Sequence, residues 1–154
     1  MSQPFALGPG VVSLDHTADV GIEVHAASLP ALFDRAAHGA LALVAGADEG
    51  GGAEGEACGG VANGEVKQRL ALEAEDVAGL LALWLRELLF LHEVRGLAYR
   101  GASFDRLDAT RLDAVVTLGP DPRAAVREIK GVTYHGLVAE PGNGGWFARV
   151  IFDV

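Results

Sequence analysis

With 154 residues, half of them hydrophobic, and a formal net charge of −9, the chain has the size of one domain and enough apolar content for a sizeable core. The acidic balance, with Lys67 and Lys130 the two lysines among twelve basic residues, argues against holding DNA or RNA through a broad basic face. No apolar run approaches the roughly 18 residues of a membrane span, the start MSQPFALGPG lacks the basic and apolar regions of a secretory signal, and the single Cys58 can build neither a disulfide framework nor a thiolate metal cage. A cytoplasmic location is the expectation.

In chain order, residues 1–12, punctuated by Pro4 and Gly-Pro-Gly, read as a flexible leader to a domain over 13–154. VGIEVHA follows as a short strand with Val20, Ile22 and Val24 on one face. Ser28 is a helix N-cap with Pro30 in the first turn, and Leu29, Leu32, Phe33, Ala36, Ala40, Leu43 and Val44 recur at helical spacing. Residues 45–65 hold eight glycines and almost nothing bulky, so they cannot offset their ordering entropy and read as a mobile loop.

VKQRLALEA alternates as a second strand. A second helix then carries Glu75 and Asp76 at its start, where carboxylates suit the positive end of the dipole. Its apolar residues, from Val77 through Trp84 to Leu91, cover most of the circumference, which predicts a helix that is enclosed or offers a face to a partner. The remainder is β-rich. LAYRGASFDRLDA and TRLDAVVTLG form a pair turning near Asp108, and GVTYHGLVAE and WFARVIFDV form a final hairpin through Pro141–Gly145. Helices grouped early and strands in runs predict an α+β fold, a single compact domain of mostly antiparallel sheet flanked by two main helices.

Three stretches could carry chemistry. LDHTADVG packs Asp15, His16, Thr17 and Asp19 just before a strand; it reads either as a turn capping backbone amides or as a set of oxygen ligands. At the other end, Asp153 stands beside the carboxylate of Val154. If the final strand is central in its sheet these charges are partly desolvated, and two like charges about 4 Å apart repel by about 4 kcal/mol at an effective dielectric near 20. A divalent hard cation relieves this, because carboxylate and carbonyl oxygens are what Ca²⁺ and Mg²⁺ prefer; a frayed, solvated end needs no ion. The third stretch, REIKGVTYHG, holds Lys130, Thr133, Tyr134 and His135. On a regular strand Lys130 shares a face with Val132 and Tyr134 while Thr133 and His135 take the other, so the four do not converge. No Ser-His-Asp arrangement, phosphate-binding glycine loop or internal repeat is recognisable. His25, His38 and His92 lack a zinc-ligand spacing.

Taken together, LDHTADVGIEV, SLPALFDRAA, LLALWLRELLFLHE, EIKGVTYHGL and WFARVIFDV resemble the archease family in order and distance, over nearly all of 13–154 outside the glycine-rich loop. That resemblance implies a non-catalytic cofactor of the GTP-dependent tRNA-splicing RNA ligase, one that promotes transfer of GMP to the ligase's active-site histidine and supports multiple turnover. It implies a divalent cation, Ca²⁺ or Mg²⁺, held through positions that match Asp19, Asp153 and Val154, and a role in ligase activation for Lys130. RNA is then met only through the ligase, which supplies the nucleotide site. Gly131 stands where the family usually has alanine, and LGPDPRAAVRE is shorter and less acidic than usual. Two alternatives differ in kind. A stand-alone Mg²⁺- or Ca²⁺-dependent phosphoester hydrolase would turn over substrate by itself, and a chaperone or adaptor using the Leu-rich helix would bind unfolded chains without metal.

Overall fold

A computed structural model of the chain describes residues 6–15, 19–46, 64–121 and 127–154; for Leu14, Asp15 and Asp19 it describes the backbone alone. His16, Thr17, Cys58, the first five residues and the bulk of the glycine-rich segment lie outside the described residues. The elements are β1 (Ala6–Gly8), β2 (Val11–Asp15), β3 (Asp19–Ala26), α1 (Leu29–Val44), β4 (Val66–Glu73), α2 (Val77–Arg95), β5 (Leu97–Leu107), β6 (Arg111–Pro120), β7 (Gly131–Gly142) and β8 (Gly145–Asp153). They form a five-stranded sheet, β1-β2-β3-β8-β7, and a three-stranded sheet, β4-β6-β5. Every pairing is antiparallel. This is the α+β fold that the order of elements predicts.

Both helices touch both sheets, α1 through β3 and β5, α2 through β7, β4 and β5. The core lies between these layers. β6 contributes Leu112, Ala114, Val116 and Leu118 and β8 contributes Ala148, Val150 and Phe152, all without solvent exposure. Period-two alternation therefore aims one face of each sheet at the helices. Ser28 caps α1 by accepting from the Ala31 N–H (3.3 Å), and Asp76 caps α2 by accepting from the Gly79 N–H (2.7 Å). Gly96, at φ +66°, closes α2 in the left-handed conformation, its N–H donating to the His92 carbonyl. Trp84 is fully buried on α2 and donates its indole N–H to the Phe33 carbonyl of α1 (2.9 Å). That bond ties the helices together and satisfies the buried indole donor.

Two sequence expectations need correction. Residues 6–12 are not a flexible leader but β1 and the start of β2. Val11 is buried and pairs with Val24, and the Gly10 carbonyl accepts from the His25 N–H at 2.8 Å. Pro9 and Gly10, read as punctuation, are the turn between two paired strands, with Gly10 at φ +70°. The final hairpin is also tighter than expected. Gly142 pairs with Gly145, so Asn143 and Gly144 alone make the turn and only Gly144 takes a positive φ, +73°.

Candidate metal centre

β8 is the last strand in sequence and lies inside its sheet, between β3 and β7. Its register sets Asp153 opposite Asp19 on one side and opposite Gly131 on the other. One row across three strands thus joins the start of β3, the end of β8 and the start of β7. At its edge the Lys130 N–H donates to the Asp153 carbonyl at 2.7 Å. The backbones of Asp19 and Asp153, far apart in sequence, are direct neighbours. Lys130 joins them through the main chain.

The electrostatics differ from the desolvated picture that a central strand implies. Asp153 and Lys130 are exposed and Val154 is 37% exposed. Repulsion between the Asp153 and Val154 carboxylates at about 4 Å is then nearer the ~1 kcal/mol of water than ~4 kcal/mol, so that pair is tolerable without a counter-ion. An ion would be bound for what its ligands offer it, not to relieve strain. Among the described residues no three His, Cys, Asp or Glu side chains are grouped to hold a metal. The donor set of two aspartates and the Val154 carboxylate suits a hard cation by its chemistry, since all its donors are anionic oxygens.

Lys130 points its chemistry elsewhere. It lines a groove of about 330 Å³ with Ile129, Leu83, Arg86, Glu87 and Phe90, on the helix side of the sheet. Asp153 keeps the alternation of Arg149, an exposed position on the opposite face whose guanidinium grips Glu23 at 3.1 and 2.7 Å. The lysine and the aspartate therefore lie on two sides of one strand end.

Tyr134 and His135 are both exposed, and neither belongs to the Asp19–Asp153 row. The pairing jumps from Thr133↔Ile151 to Val138↔Arg149, so Tyr134–Leu137 form a bulge opposite Val150 alone. Gly136 turns it at φ +74°, and the Thr133 hydroxyl accepts from the His135 N–H at 3.1 Å. The bulge breaks the regular alternation assumed for this block.

Three polar contacts escaped the sequence reading. Tyr99 donates its hydroxyl to Asp34 (2.7 Å), and His38 lies one helical turn from Asp34 with its Nε2 3.6 Å from the carboxylate. His92 on α2 sits 3.3 Å from Asp121, with both side chains largely enclosed. The Asp34–His38 spacing of i, i+4 was available as a signal; the Tyr99 and Asp121 partners come from other elements and left none.

The fold is a two-sheet α+β domain in which Asp19 of β3 and Asp153 of β8 are paired through the backbone. The sequence profile of the Archease protein family (MTH1598/TM1083) matches residues 12–154, and the chain belongs to that family. It is 28% identical over 148 residues to Protein archease of Pyrococcus abyssi, covering 91% of this chain and 95% of that one. It is 26% identical over 148 residues to Protein archease of Methanosarcina mazei, covering 92% and 93%. The solution structure of Methanobacterium thermoautotrophicum protein 1598 superposes with a TM-score of 0.67 at 24% identity, covering 94% of this chain and 99% of that one. A Thermotoga maritima crystal structure described as an archease and possible chaperone gives 0.56 at 20% identity, covering 92% and 94%. The last two likenesses speak to the fold.

Proposed function

We propose that this protein is a metal-binding cofactor of the GTP-dependent tRNA-splicing RNA ligase, promoting its guanylylation and its multiple turnover without being an enzyme itself. The observation that carries this reading is the pairing of Asp19 with Asp153, two positions singled out by their likeness to the family's ligands. Asp19, Asp153 and the Val154 carboxylate would hold Ca²⁺ or Mg²⁺. When bound, that ion supplies positive charge to neutralise phosphate oxygens or order a partner loop. The chain's own residues hold the ion at a strand end and present Lys130 beside it, from the helix side. The ligase provides the nucleotide pocket.

The test is ligase guanylylation with and without this protein across a divalent-metal titration. Asp19→Ala, Asp153→Ala and deletion of Val154 should each lower stimulation at least tenfold while circular dichroism stays unchanged. Lys130→Ala should lower stimulation yet leave metal binding by the isolated protein intact. Normal stimulation by all four variants rejects the assignment. Turnover of a phosphoester by the isolated protein, lost in Asp19→Ala, would favour the hydrolase instead. Exposure of Phe90 and Val94 on α2 favours a second reading as a chaperone or adaptor, which predicts metal-independent capture of unfolded chains.

A further inference from the structure

Among the described residues, four large apolar side chains are exposed: Phe90 (56%), Val94 (62%), Tyr134 (59%) and Val154 (37%). They are not scattered. Phe90 lines the groove of about 330 Å³ that also contains Lys130 and Leu83. Tyr134 lines a second groove of about 400 Å³ that contains Glu75, Asp76 and the same Leu83. Leu83 lines both, so the two grooves adjoin at that side chain, alongside α2 and β7. Val94 lies one helical turn beyond Phe90, and Val154 follows the residue bonded to the Lys130 backbone. Isolated exposed apolar residues need no explanation, but a contiguous set rimmed by charge marks a contact surface.

The charges along this channel are uneven. At the Tyr134 end Glu73 is held by Arg111 (2.7 Å) and Asp76 by its helix cap, while Glu75 forms no ion pair among the described residues. A free carboxylate beside an exposed phenol ring suits an arginine or lysine, which the ring face also attracts. The other groove is lined by Arg86, Lys130 and Glu87 together with Phe90.

Resting on the function proposed above, we propose that the α2–β7 channel seats a segment of the partner ligase. That segment sets apolar side chains over Phe90 and Leu83 and an arginine or lysine against Glu75 and Tyr134. The acidic end disfavours a nucleic-acid strand. A second copy of this chain would cover Lys130, which that function needs free to act on the ligase.

The experiment measures binding of the full-length protein to the full-length ligase at saturating divalent metal, by calorimetry, alongside guanylylation as a function of protein concentration. Phe90→Glu should raise Kd at least tenfold, Val94→Glu about fivefold and Glu75→Lys about threefold, in line with a central aromatic anchor and a charged rim. All three positions are exposed, and thermal melts verify folding. Divalent binding by the isolated protein stays at the wild-type value, and full stimulation returns at high protein concentration. Wild-type affinity in both Phe90→Glu and Val94→Glu overturns the channel while leaving the metal-cofactor reading intact. A wild-type protein that neither binds nor stimulates the ligase overturns that reading itself. A dimer in sedimentation that Phe90→Glu dissociates assigns the channel to a second copy and overturns the proposal.

Discussion

The Tyr99 hydroxyl, on a ring with 5% exposure, donates to Asp34 on the neighbouring helix. The His38 contact first, and the Tyr99 hydroxyl after it, hold the Asp34 carboxyl below the usual carboxylate range against the opposing effect of burial. Burial, and then Asp34 itself, pushes the Tyr99 phenol above its ordinary value. The two shifts act at opposite ends of the pH scale. Asp34 contributes stability above its unfolded value of about 3.9, and this is lost as pH falls through its depressed folded value. Tyr99 contributes stability below its unfolded value of about 10, lost as the pH rises past it. Denaturant unfolding should therefore show Asp34→Asn less stable than wild type at pH 7, with the gap closing below pH 4. Tyr99→Phe should cost about 1 kcal/mol at pH 7 and abolish the alkaline part of the loss. A gap that is constant from pH 3 to pH 7 would show that the carboxylate's charge contributes nothing.

At the scale of elements, the bulge in β7 is the feature on which the surface depends. Gly136 allows it by adopting φ +74°, and a Cβ there would lie 3.7 Å from the Ile151 side chain, ordinary contact. The penalty for Gly136→Ala is thus one of backbone conformation, about 1–2 kcal/mol, read as a lower denaturation midpoint. An unchanged midpoint would mean that the bulge relaxes into regular pairing. α1, α2, β3, β4, β5 and β6 were all legible in the sequence, because Ser28 and Asp76 are local caps and the 3.6- and 2-residue periods are local patterns. The bulge was not legible, since Thr133–His135 alternates as plausibly as any regular strand. β1 and β2 were hidden because Pro9 and Gly10 signal a turn equally well in a leader and in a hairpin. Asp19, Asp153 and Lys130 were singled out by likeness to a family, while their adjacency follows from strand order. No local pattern encodes the place of β8 between β3 and β7.

For the whole molecule, the proposed ion would bind the folded state alone, because its donors are neighbours only once β3 and β8 are paired. At a hundredfold excess over its dissociation constant such a ligand stabilises by about 2.7 kcal/mol. That is a rise in Tm of about 5–10 °C for a domain of this size. Melting curves with and without Ca²⁺ or Mg²⁺ should show that rise in the wild type and lose it in Asp153→Ala. No rise with either ion at millimolar concentration speaks against the donor set.

Because β8 slots between β3 and β7, the five-stranded sheet closes with a strand made long after β3. During synthesis β3 waits with an open hydrogen-bonding edge until α1, β4, α2, β5, β6 and β7 have all been made and β8 follows, a topology that slows folding and invites mispairing. Premature termination ahead of Trp146 would strand two sticky edges at once, so truncated products should precipitate instead of persisting as partly working fragments.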